Sequence, residues 1–147
     1  MVWPEKTEIA ELEQVDRILL RRILGAPDST CVEGLYLELG LTPISVILKI
    51  RRVMFLHYLA TQKEDEMLHK FFIKQWKYPA KDDWTEQAKS DLKELDINLC
   101  LDEIKSKSEY SFKKLVKRKA KEFTLNYFLE LKEEHTKREN SRIFISK

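Results

Sequence analysis

Glycine and proline are scarce, 3 and 4 of each in 147 residues. Both interrupt regular structure, so a chain with so few of them has few turns and is expected to be mostly helix. Cysteine is scarcer. Cys31 and Cys100 are the two present; they cannot build a disulfide framework, show no metal-ligand spacing, and read as small, half-buried, reduced thiols. Long apolar runs are missing as well. A membrane-spanning helix needs about 18 apolar residues, and Lys49, Arg51 and Arg52 interrupt the best candidate. Met1-Val2-Trp3-Pro4-Glu5 lacks the basic and apolar regions of a signal peptide. The expectation is an intracellular protein, in cytoplasm or nucleus, with no membrane partner. An excess of charge of one sign is also lacking: the formal net charge is +2, too small to imply a polyanionic partner by itself.

Catalytic motifs are absent in the same way. There is no glycine-rich phosphate loop, no Gly-x-Ser-x-Gly elbow and no Ser/His/Asp set. His57, His69 and His135 are scattered and lack metal-binding spacing, so neither a metal nor a cofactor is expected, and His57 reads as a core histidine. Asp82-Asp83 looks like the paired aspartates of a two-metal site. It follows Tyr78-Pro79-Ala80-Lys81 and opens a helix, where adjacent side chains diverge, so capping is the better reading. No catalytic residue is assigned.

What the chain does have is helical periodicity with clear stops. A first helix spans about residues 7–24, with Thr7 as N-cap and Ile9, Leu12, Val15, Leu19 and Ile23 as its buried stripe. Glu8 and Glu11 suit its positive start, and Arg17, Arg21 and Arg22 its negative end. Gly25 supplies the left-handed C-cap, and Pro27 prevents continuation. Thr30 and Glu33 form a capping box for a second, short helix over 31–39, with Leu35 and Leu39 inward and Gly40 as its stop. Thr42-Pro43 opens a third helix to about Thr61, apolar on most of its circumference and expected at the centre of a bundle. A fourth ends near Trp76 and a fifth runs from Asp82 or Asp83 through Leu95. A short one lies near 102–105, and a long one, capped by Ser108, reaches about Lys137 with Phe112, Val116, Phe123, Tyr127, Phe128 and Leu131 inward. Asp96 to Leu99 alternates too briefly to make a sheet. The expected fold is all-α: a compact bundle of about five to seven helices with a long basic C-terminal helix. Residues 1–139 form a single helical domain and 140–147 a frayed tail.

The densest charge lies between Lys105 and Lys121, where eight basic residues oppose only Glu109. Lys113, Lys117 and Lys121 are spaced by four, as are Lys114 and Arg118, so they form adjoining rows on one helix face. Such cations repel one another unless an anion neutralises them, and phosphate backbone is the natural anion. The plain alternative is a solvated helix face. Arg51-Arg52 is a smaller candidate: arginine can fork onto a phosphate, or the pair can be buried against Glu33 or Glu38.

Several segments, taken in order, resemble one family. They are Leu12-Glu13-Gln14-Val15-Asp16, Leu19 to Pro27 (LLRRILGAP), Ser29-Thr30, Leu35 to Gly40 (LYLELG), Thr42-Pro43-Ile44 and Arg51 to Leu59 (RRVMFLHYL). Phe71-Phe72, Lys81-Asp82-Asp83-Trp84, Leu92-Lys93-Glu94-Leu95, Tyr110 to Lys117 and Lys132 to Lys137 follow. Together these are similar to the region just after the polymerase palm in LINE-type non-LTR retrotransposon reverse transcriptases, over about Trp3 to Lys137. The resemblance implies a thumb or post-thumb piece of a larger polyprotein, gripping RNA template and primer beside an upstream palm. The family's polymerase chemistry depends on palm aspartates in an aromatic-x-Asp-Asp turn, which this sequence lacks; it also departs from the family in ending at Asn140 to Lys147, as a fragment or decayed copy would.

The expected function is therefore non-catalytic and nucleic-acid-gripping. RNA or an RNA–DNA duplex is held through the backbone by Lys113, Lys114, Lys117, Arg118 and Lys121, with Arg51 and Arg52. The alternative is a protein-interaction or assembly module without nucleic-acid binding, acting through the apolar third helix and the aromatics Trp3, Trp76 and Trp84.

Overall fold

The computed structural model describes the backbone of residues 6–81 and 83–145, and the side chains there except at positions 6, 132, 135, 136 and 138–145. Among the described residues there are seven helices and no strand. They are α1 (Lys6–Leu24), α2 (Val32–Leu39), α3 (Ile44–Ala60), α4 (Met67–Lys77), α5 (Trp84–Glu94), α6 (Leu101–Ser106) and α7 (Glu109–Ile145). The all-α expectation holds, and the helix count is at the top of the expected range.

Three of these helices stop by the same device. Gly25, Gly40 and Asp96 all have φ near +60° (61°, 62° and 53°). At each, the next amide reaches back across the last turn: Ala26 to the Arg21 carbonyl, Leu41 to that of Tyr36, Ile97 to that of Leu92. This is the Schellman closure, which satisfies carbonyls the helix itself leaves open. Glycine adopts that conformation without cost, whereas Asp96 is a rarer occupant that tolerates it through its short polar side chain.

The starts differ more from expectation. α1 already includes Lys6, so Thr7 lies inside the helix rather than capping it. The Thr30–Glu33 box does not form. Cys31 is the N-cap of α2 and makes no side-chain capping bond; its thiol donates to Glu33 Oε2 at 3.2 Å instead. A capping box appears where none was expected, at α6, between Cys100 and Glu103. Both cysteines are exposed rather than half-buried. Ser108 does cap α7, its Oγ accepting the Ser111 amide at 3.3 Å. Asp83 is the N-cap residue of α5 but caps with its backbone alone; its carboxylate accepts Gln75 Nε2. Asp82 and Trp3 lie outside the described residues. α7 runs on to Ile145, past the expected end near Lys137.

The chain divides into two compact units. Among the described residues, the middle unit is Val46–Lys121 and the terminal unit joins the segment before Val46 to the segment after Lys121. In the middle unit α3 is touched on several sides, as its all-round apolarity requires. Val53 and Leu56 are wholly buried, with Phe72 of α4, Ala88 and Leu92 of α5, Ile104 of α6 and Phe112 and Val116 of α7 completing the core. His57 is a core histidine: its Nε2–H donates to the Lys107 carbonyl at 2.9 Å, and its ring stacks on Phe112 at 4.7 Å. Trp84 and Trp76 are half-buried and gathered around Phe72, so they do not form the exposed aromatic surface expected of them.

The terminal unit has a smaller core of Val32, Tyr36 and Phe128, flanked by Leu20, Leu37 and Leu131. Tyr36 and Phe128 stack at 5.6 Å. Two inward assignments fail on α2: Val32 and Tyr36 are the buried positions, while Leu35 is only half-buried and Leu39 is exposed. α1 is the larger correction. Leu12, Val15, Leu19 and Ile23 are exposed, and the edge turned inward carries Ile9, Glu13, Asp16 and Leu20. Polar bonds fix that edge. The Tyr36 hydroxyl donates to Asp16, and the Ser45 amide donates to Glu13 Oε1 at 3.2 Å. On α7, Tyr127 is exposed where the periodicity put it inside.

Candidate nucleic-acid interface

Helical spacing brings the basic rows together on the outer face of α7. Phe112, Val116 and Ala120, four apart, are buried against the middle unit, which turns the intervening positions to solvent. Lys113, Lys114, Lys117, Arg118 and Lys121 are all exposed. Among the described residues none of the five has an acidic partner within ion-pair distance.

Three other lysines of the same unit are paired. Lys105 Nζ meets Glu64 at 2.6 Å, Lys119 Nζ meets Asp96 at 2.7 Å, and Lys49 Nζ meets Glu94 at 2.6 Å. These contacts hold the carboxyls of Glu64 and Asp96 below the usual carboxylate range, chiefly through the lysine hydrogen bond. Lys119 sits between the rows and the buried stripe, so its pairing with Asp96 anchors α7 to the end of α5 and leaves the rows free. The five cations therefore repel one another along about two turns, with water and salt as their counter-charge.

Arg51 and Arg52 part company, because adjacent helical residues point about 100° apart. Arg51 is exposed. Arg52 is buried: its Nε donates to Asp91 Oδ2 at 2.6 Å, and its Nη1 donates to Gln87 Oε1. Its guanidinium thus spends its planar fork inside the protein. The acid is Asp91 of α5 rather than Glu33 or Glu38, and Lys49 shares it at 3.4 Å. Sequence reading missed this cluster, since the partners are about forty positions apart and only the bundle brings them together.

A second concave feature lies within the terminal unit. A cleft of about 770 Å³ runs between α1 and the start of α2, lined by Glu13, Arg17, Arg21, Thr30 and Glu33 among others. Arg21 Nη2 donates to the Thr30 carbonyl at 3.1 Å, while its buried Nε finds no acceptor. The acids and bases lining the cleft balance, so it favours no ion of either sign. Among the described residues no group of His, Cys, Asp and Glu is arranged to hold a metal, and no helix is long and apolar enough to cross a membrane. Comparison with protein families, with characterised proteins and with solved structures gives no match.

Proposed function

We propose that the chain grips the sugar–phosphate backbone of RNA or of an RNA–DNA duplex, without catalysis, through Lys113, Lys114, Lys117, Arg118 and Lys121. In this reading it is the thumb-like region of a LINE-type reverse transcriptase, working beside a palm that carries the chemistry. One observation carries the binding half. The middle unit pairs Lys49, Lys105 and Lys119 with acids, yet leaves the densest cation rows exposed and without an acidic partner. The ordered sequence segments support the family half. Arg51, exposed in the same unit, joins the candidate contacts; Arg52, bound to Asp91, holds α3 to α5.

The rows are tested by replacing Lys113, Lys117 and Lys121 together with Gln. Gln has nearly the helix propensity of Lys and the sites are exposed, so stability moves by less than about 0.5 kcal/mol. The slope of log affinity against log salt, measured on an RNA–DNA duplex, falls by roughly two to three. An unchanged slope means the rows are a solvated face and the reading is wrong.

A second reading, a helical assembly module that leaves nucleic acid alone, is favoured by the apolar side chains that α1 and α4 leave exposed, Met67 and Phe71 of α4 among them.

A further inference from the structure

α1 is attached by the wrong face for an amphipathic helix. Its inward edge is half polar, with Asp16 and Glu13 accepting bonds from Tyr36 and Ser45 and Leu20 as its contact with the small core. Its apolar stripe faces out: Leu12 is 48% exposed, Val15 55%, Leu19 49% and Ile23 78%. These four recur at intervals of three and four residues, so they form one continuous ridge along the helix. A ridge of this kind in water marks an interaction surface.

The charges along the ridge say what covers it. Glu11 and Arg22 are eleven positions apart, close to three turns, so both lie on the same edge of the stripe. Both are exposed, and among the described residues neither has an ion-pair partner. When two copies of a helix pack antiparallel about a two-fold axis, like edges meet, and the register reverses. Setting Val15 against the second copy's Leu19 brings Leu12 against Ile23. The same register places Glu11 beside Arg22, twice per pair. Parallel packing about a two-fold would instead turn this edge against the opposite one, so Glu11 and Arg22 would not meet. The stripe and its charges are thus complementary to themselves in one orientation.

We infer that the chain forms an antiparallel homodimer through the Leu12–Val15–Leu19–Ile23 face of α1. This goes beyond nucleic-acid binding and does not depend on it, since the face belongs to the terminal unit and the lysine rows to the middle one. A 19-residue helix is about 28 Å long, which gives an interface at the small end of the specific range. Association is therefore reversible, with Kd on the order of 10 µM.

The test is sedimentation of the full chain without nucleic acid, from about 1 to 200 µM, a range bracketing that Kd. The chain is expected to pass from monomer to dimer, and Leu19→Lys, which alters an already exposed side chain, is expected to remain monomeric with unchanged far-UV circular dichroism. Glu11→Arg alone and Arg22→Glu alone each convert two attractive contacts into two repulsive ones and weaken the dimer about tenfold. The chain carrying both changes recovers the original Kd, and the two single variants mixed together form a heterodimer. A monomer throughout the range overturns the proposal. So does a dimer that ignores the charge reversals, which would place the contact elsewhere, for instance on Met67 and Phe71 of α4.

Discussion

Removing the carboxylate of Asp91 tests how the middle unit is held together. Asp91 is 3% exposed and Arg52 6%, so their 2.6 Å contact is far from bulk water. Asp91→Ala leaves a buried guanidinium without its carboxylate and takes one of two acids from Lys49. Uncompensated charge of this kind costs about 3–5 kcal/mol, a large part of the ~5–15 kcal/mol that holds an ordinary domain together. For a chain of this length the melting temperature falls by roughly 10–15 °C. Urea unfolding followed by tryptophan fluorescence in a Trp3→Phe background, where Trp76 and Trp84 are the emitters, reads the middle unit. The double variant Asp91→Leu with Arg52→Met removes both charges together and is expected to recover most of the loss. A single-variant cost below about 1 kcal/mol, or a double variant as weak as the two singles summed, would refute the reasoning and return Arg52 to the pool of cations available to a ligand.

Two further outcomes follow from the terminal unit. Burial first, and then the hydrogen bond and charge of Asp16, raise the Tyr36 phenol well above its ordinary value of 10.0. Since the folded value is the higher, its stabilisation is complete below pH 10 and is lost as pH rises toward the folded value. Tyr36→Phe is expected to cost about 1.5–3 kcal/mol at neutral pH and to flatten the loss of stability above pH 10, measured by urea midpoints from pH 8 to 12; an unchanged alkaline slope would show the bond to be unimportant. Gly40→Ala isolates the Schellman closure of α2. A methyl there meets nothing within 4 Å, so the expected loss of about 1–2 kcal/mol comes from the positive φ alone, and a loss below 0.3 kcal/mol would mean the turn relaxes.

Helix existence was readable because the 3.6-residue period and the glycine stops are local signals. Gly25 and Gly40 end α1 and α2 as their sequence context implies, and Phe112 and Val116 turn inward as their spacing requires. The misread features depend on distant partners. The Leu12–Ile23 stripe identifies an apolar face of α1, but a pattern says only which face prefers to be covered; Tyr36 and Ser45 decide how the helix attaches, and they bond its carboxylates. The closure at Asp96 was hidden because the residue does with an aspartate what glycine usually does. The Thr30–Glu33 box lost to a start one residue later, at Cys31. The rows from Lys113 to Lys121 were legible as a face from spacing alone. That Lys119 is paired while its neighbours are free depends on Asp96, more than twenty residues earlier.

The division of the chain has a consequence for its birth on the ribosome. The terminal unit draws on both halves of the sequence, whereas the described residues of the middle unit all lie within Val46–Lys121. As synthesis proceeds, α1 and α2 emerge first, but Tyr36 lacks the ring it stacks on until Phe128 has cleared the exit tunnel. The middle unit, made later, has all of its own core before that. The second-born part thus finishes first, and the first-born helices wait with their surfaces open for some ninety residues of elongation, several seconds at ordinary rates. Truncation near residue 121 would hold the chain in that waiting state permanently, with Val32 and Tyr36 exposed to chaperones and to one another.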